Sequence, residues 1–524
     1  MNIVRGRKQI LGGLFALLAV FALAATACGD DGVAQEDYDA VKAQLAAKEA
    51  ELARHEAEEA AAPAQTIIQV GRAQGQAAAP AAPSGWDTEW SQLMGVKLLE
   101  TFDSSGPNLW DPAAHPVVYF ASEGPGYGGL LASGVELPGY MAIDAKTHEV
   151  LAAPHFDIGL SASEDPSTHD VSGQFFEPHG AGVSPDGQFV YIPTAVGTSF
   201  GGAKEAGRMI VVNARTGKIA QILQVPGRPH HIKSFVDSQG NDRVLAYSWS
   251  WGAYILDPKD DNRVVGAVPN SILNGGGYLA FVDPSGRWLY YTVRPPSGVE
   301  AQGTVAIIDT ETWKYVRNIG VEDSSPIFVA FSGNGDFAYV TGGHHSIVAK
   351  IDMSEEDPAD WDMVKFARAG TEGPYGLNLN WTDDLIVTIG KGEGSHNKGI
   401  TVGLVDPRMA GSARPLGEVF TGCLRADHGI LNPDPEANEL WISCNSSFET
   451  VVLDLTKQET RGDFSPGEYV KARIPTPNGG STHNGAFVAY NADFTGRVQA
   501  DQNGLHDAAL QTKRDILAKA ALAK

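Results

Sequence analysis

After Gly85 the chain repeats itself about every fifty residues, and that period constrains the fold more than any other feature. Two modules alternate. The first is a hydrophobic strand, a polar turn and a second strand. It occurs as HGAGVSPDGQFVYI from His179, HIKSFVDSQGNDRVLAYS from His231 and YLAFVDPSGRWLYYT from Tyr278. Further copies are IFVAFSGNGDFAYVT from Ile327, YGLNLNWTDDLIVTI from Tyr375, HGILNPDPEANELWIS from His428 and HNGAFVAYNADFTGRVQ from His483. The second module is a hairpin with Asp, Asn, Thr or Gly at its tip, as in MIVVNARTGKIAQIL and VAIIDTETWKYVRNI. One follows each of the first six opening modules, and none follows the module at His483. The missing hairpin stands at the other end of the repeat region, as GYMAIDAKTHEVLAAPHF from Gly139 to Phe156. A ring satisfies this arithmetic: an all-β, seven-bladed β-propeller in which the N-terminal hairpin closes the last blade and no long strand edge is left exposed.

The flanks read differently. In residues 1–28, Arg5, Arg7 and Lys8 precede an apolar run ending LAATAC, the pattern of a signal peptide. Its end resembles a bacterial lipobox with Cys28 as the lipidated residue; cleavage after an A-x-A-like site without lipid is the alternative. Both predict export, and the lipobox predicts a periplasmic or cell-surface protein tethered to membrane through Cys28. Residues 29–85 are a helical stalk and an Ala/Pro-rich linker that cannot bury a core. The propeller is expected over 86–507 and a C-terminal helix over 508–524. A net charge of -24 in 524 residues leaves little basic surface to neutralise phosphates, which excludes nucleic acid as the expected partner.

The histidines are not scattered. In a propeller the innermost strand of each blade starts at the same face as the loop between its second and third strands. His179, His231, His428 and His483 stand at innermost-strand starts, with His230 beside one of them. His344, His345 and His396 stand in second-to-third loops, so eight of the 14 histidines share one face. Imidazoles from several blades suit an axial site for copper or a similar transition metal. Glu177 and Asp427 flank two of these histidines, and Lys391 shares the face. Glu177 and Lys391 are the candidate general bases, and Lys391 is also a candidate contact for an anionic substrate. Taken singly, each histidine reads as a strand-start residue satisfied by a loop carbonyl; their convergence favours a metal. In an exported protein Cys423 and Cys444, which flank one blade, read as a disulfide, with paired thiolate ligands the alternative. No CxxCH occurs, so covalent c-type haem is excluded.

The pairs SPDGxxxY and IDxxT resemble those of the YVTN-type propeller superfamily over residues 139–501. EPHGAGVSPDG resembles a histidine-bearing blade start of the nitrous oxide reductases, whose propeller carries a multinuclear copper cluster; the cupredoxin domain of that family has no counterpart here. The order His115, His179, His344 or His345, His396, His428, His483 is similar to the ligand order of the thiocyanate dehydrogenase family, exported single-domain propellers with copper near the axis. That resemblance implies a multinuclear copper site that oxidises a small inorganic anion or molecule, thiocyanate first among them. It also implies an external electron acceptor such as a cytochrome c or a cupredoxin. Two other readings remain open: a tethered propeller that binds a partner and catalyses nothing, and a propeller holding noncovalent haem d1.

Overall fold

The computed structural model describes residues 69–70, 86–112, 115–123, 138–156, 180–194, 207–249, 251–273, 275–296, 301–392, 399–409, 415–456, 469–477 and 481–523. The expected signal peptide with Cys28 lies outside the described residues, and so does the expected stalk and linker over 29–85 apart from Gln69–Val70, a short strand paired with His155–Phe156. The described strands form seven sheets. Five are four-stranded antiparallel units of consecutive strands, beginning at Arg228–Val236, Gly276–Val282, Pro326–Phe331, Pro374–Leu379 and Ala426–Leu431. We number the sheets in chain order, so these five are the third to the seventh.

Neighbouring sheets meet mainly through their first and second strands, and the seventh meets the first through Ala426–Leu431 and Thr482–Tyr490. The first strands of the fifth, sixth and seventh sheets are buried along their whole length. The fourth strands of the fourth and fifth, Lys314–Gly320 and Asp362–Arg368, are largely exposed. Burial therefore falls from first strand to fourth, as it must when sheets stand side by side around an axis with one edge inward. This is the β-propeller arrangement.

The turns between first and second strands repeat one chemistry. In SPDG, Ser184 Oγ accepts from Phe189 N at 2.9 Å, and Gly187 N donates to Ser184 O at 2.8 Å. Gly187 holds φ at +72°, a conformation that glycine adopts at no steric cost. Successive copies of this turn form the face of the ring opposite the histidine-bearing strand starts.

Ring closure departs from the sequence expectation. The C-terminal strand Thr482–Tyr490 does pair with an N-terminal segment, but the partner is Val117–Glu123, which precedes the expected hairpin. Pro138–Asp144 pairs with Val117–Glu123 in turn, and Val150–Ala152 and His155–Phe156 lie beyond it. The N-terminal region thus supplies the second strand of the closing sheet as well as the outer ones. Gly496–Asp501, expected as that second strand, pairs with the opposite edge of Thr482–Tyr490. There it turns inward and contacts the first strands of the third and seventh sheets. Helix α1, Asp507–Leu522, follows and lies on the turn face, where Lys513 Nζ reaches Asn380 O at 2.8 Å and Asp383 Oδ1 at 2.6 Å.

Candidate functional site

A bulge brings the axial residues together. Each first strand from the third sheet to the seventh pairs normally with its second strand at both ends, but the register slips between: Pro229/Ile232, Gly277/Ala280, Pro326/Val329, Pro374/Gly376 and Ala426/Gly429. The skipped residues include His230, His231, Tyr278, Phe328, Tyr375, Asp427 and His428. A bulge sharpens the local twist and re-aims side chains, and here the same slip occurs at the same height in five sheets. It is why residues some fifty positions apart meet at the axis.

The result is a buried polar knot with an aromatic wall. His230 and His231 stack with ring centroids 4.1 Å apart, and His231 meets the edge of His428 at 4.3 Å. Tyr247 lies 5.1 Å from His230, and Tyr375 and Phe328 lie 4.9 and 5.9 Å from His428. Asp427 is the electrostatic centre. Its carboxylate receives Lys391 Nζ at 2.9 Å, Asn445 Nδ2 at 2.9 Å and His483 Nε2 at 3.0 Å, with His428 Nε2 at 3.4 Å. Burial alone would raise the Asp427 carboxyl, but the charges of Lys391, His428 and His483 outweigh it and hold the group well below the usual carboxylate range. Asp427 is therefore an anion at any pH near neutrality. Lys391 packs over the Tyr375 ring at 3.9 Å and is ion-paired with Asp427.

The predicted residues separate into groups. The structure brings together His231, His428, His483 and Lys391, with His230 and Asp427 among them. His344 and His345 are on the same face but exposed, their backbone amides bound by Asp323. His115 is a correction. It precedes Val117, which pairs with Val488, whereas His483 pairs with Ala121 near the other end of the same strand. His115 thus belongs to the turn face, where Nδ1 sits 3.1 Å from Asp144 Oδ2. Its place in the ligand order is contradicted because Val117–Glu123 runs antiparallel to the strand of His483. Glu177, His179 and His396 lie outside the described residues. Cys423 and Cys444 form the expected disulfide, with both cysteines buried, so neither is a thiolate ligand.

Sequence reasoning missed Asn445 and Gln502. Asn445 directly follows Cys444; its Nδ2 donates to Asp427 Oδ2 at 2.9 Å and lies 2.8 Å from His483 Nε2. Gln502 follows the last repeat, where no period remained to flag it. Among the described residues no three His, Cys, Asp or Glu side chains take up a metal-holding arrangement. The donor chemistry nevertheless fits a borderline transition metal, since four imidazoles from three sheets meet in a site walled from water.

No family model and no curated protein matches the chain. Solved structures of similar architecture include the periplasmic gluconolactonase PpgL of Pseudomonas aeruginosa (13% identity over 70% of this chain and 98% of that one, TM-score 0.45). A protein of Lactobacillus plantarum shares 13% identity over 71% of this chain and 99% of its own, with a TM-score of 0.47. The dihydro-heme d1 dehydrogenase NirN shares 12% over 78% and 82%, with a TM-score of 0.43. None of the three is similar enough in sequence or superposition to bear on the activity of this chain.

Proposed function

We propose that the chain is an exported seven-bladed propeller, lipid-anchored through Cys28, that binds copper at the axial histidines and oxidises a small inorganic substrate. Thiocyanate is the first substrate to assay. One observation carries this reading: four imidazoles from three sheets and a charged carboxylate are buried together at a single mouth of the ring, and such a convergence of ionisable groups favours a ligand site. His230, His231, His428 and His483 would hold the metal, with His179 and His396 the further donors that the sequence order supplies. Bound copper would contribute reversible electron transfer and Lewis acidity.

The chain's own residues do the rest. Lys391 lies beside the site and suits an anchor for an anion. Asp427 fixes Lys391 and His483 with respect to each other, and Asn445 locks that pair. Tyr375, Phe328 and Tyr247 keep water from the imidazoles. Glu177 is the candidate acceptor of protons released by the oxidation, and the electrons would pass to a soluble cytochrome c or cupredoxin.

Metal content of the purified full chain, after copper loading and dialysis, tests the reading. Copper retained by the wild type and lost together in His231→Asn, His428→Asn and His483→Asn supports it. A folded wild type that retains no copper overturns it and leaves haem d1 and a binding-only propeller to be examined.

A further inference from the structure

The second edge of Thr482–Tyr490 carries a short hairpin, Gly496–Asp501 and Gly504–Leu505, whose tip enters the ring. Three consecutive residues of that tip seize the strand that bears His231. Asp501 Oδ2 accepts from Ser234 N at 2.7 Å, and Asn503 Nδ2 donates to Ser234 O at 2.9 Å. Asn503 Oδ1 also accepts from Val282 N at 3.2 Å, so the tip is pinned to the fourth sheet as well. Between these anchors Gln502, 2% exposed, places Oε1 2.8 Å from His231 Nδ1.

We propose that Gln502 is a positioning residue for the axial site: by accepting from His231 Nδ1–H it fixes the tautomer and the ring plane, and it leaves Nε2 as the nitrogen available to a metal. Three features of the structure support this. An amide oxygen accepts only, so the ring nitrogen facing it must carry the proton. The tip cannot drift, because the residues on either side of Gln502 both bind the backbone of Ser234, three residues beyond His231. The residue also lies outside the repeat, on an element that the propeller does not need for its sheets, which gives that inward turn a purpose. The inference rests on the copper reading for its function, though not for its geometry. A ring hydrogen-bonded at one nitrogen holds metal better at the other, and losing such a partner typically weakens binding about 10–100-fold.

The test separates the two. Histidine-labelled full chain, metal-free and at a pH where the imidazoles are neutral, is examined by long-range proton–nitrogen NMR, with the His231 signals assigned by their loss in His231→Asn. The expected wild-type ring carries its proton on Nδ1. Gln502→Glu, which keeps an acceptor, retains that tautomer, and Gln502→Leu mixes or inverts it while the thermal transition shows a folded protein. Copper titration should then show affinity about 10–100-fold lower for Gln502→Leu and restored towards wild type in Gln502→Glu. A wild-type ring protonated on Nε2, or a Gln502→Leu ring unchanged in tautomer, overturns the proposal whether or not the chain binds copper. A Gln502→Leu chain with unchanged copper affinity overturns its role towards the metal. Absence of copper binding in wild type with the expected tautomers overturns the copper reading and leaves the positioning of His231 standing.

Discussion

At the scale of the residue, Lys233 shows how the ring's interior sets chemistry. It lies two positions past His231 and is almost wholly buried, with Nζ donating to Ala280 O at 2.6 Å and lying 4.0 Å from the Phe281 ring centre. Burial pulls its ammonium down to about 7, with Asp501 offsetting only part of the effect. An unfolded lysine titrates near 10.4, so between roughly pH 7 and 10 the unfolded chain binds the extra proton and the wild type gains stability as pH rises. Lys233→Met removes that dependence. The variant should therefore be more stable than wild type at pH 6.5, by on the order of a few kcal/mol, and the advantage should shrink to nothing or reverse by pH 10. Melting curves across that range decide it; a difference that stays flat with pH sinks the account. The lysine itself was plain in the sequence, in HIKSFVDS. Its burial was not, because it depends on how close the fourth sheet stands.

At the scale of the element, the strand Thr482–Tyr490 is used on both edges, and Gly485 makes this possible. A Cβ added there would sit 1.4 Å from Tyr119 O, a backbone atom that cannot swing aside. The neighbouring register slips between Phe120 and Ala121, where the closing strand passes the glycine. Gly485→Ala should therefore cost about 3 kcal/mol or more, the range of severe overpacking. Gly276 offers the control, since its added Cβ would meet nothing nearer than Arg294 O at 4.0 Å. Denaturant midpoints should show a much larger loss for Gly485→Ala than for Gly276→Ala; equal losses would show that closure tolerates the intrusion. The periodic alternation of strands and turns made the sheets legible from sequence, and the histidines at the starts of first strands made the site's face legible. Pattern alone did not separate His115 from His483, because the two flank one pair of strands and only their antiparallel pairing puts them at opposite ends. Nor did it show the repeated bulge, since first strands buried along their whole length carry no alternation for a one-residue slip to disturb.

At the scale of the whole molecule, the ring is held shut by a joint between the two ends of the repeat region, and the axial site straddles that joint. His483 comes from the closing strand, whereas Asp427 and His428 come from the seventh sheet beside it, so closing the ring and assembling the knot are one event. Two truncations separate closure from the helix that follows it. A chain ending at His506 loses helix α1, including the contacts of Lys513 with Asn380 and Asp383, but keeps Thr482–Tyr490 paired with Val117–Glu123. It should keep the oligomeric state of the full chain and melt several degrees lower. A chain ending at Pro475 loses the closing strand, so Val117–Glu123 is left with an open edge of backbone donors and acceptors next to an uncovered flank of the seventh sheet. Exposed edges of that kind recruit other chains, and this truncation should associate or precipitate where the first does not. Size-exclusion chromatography with light scattering distinguishes them, and a monodisperse monomer ending at Pro475 would mean that the remaining sheets hold their arc without the joint. The same measurement bears on the site, because an arc without the closing strand lacks His483 and Gln502 together, and with them one of the partners of Asp427 and the anchor of His231.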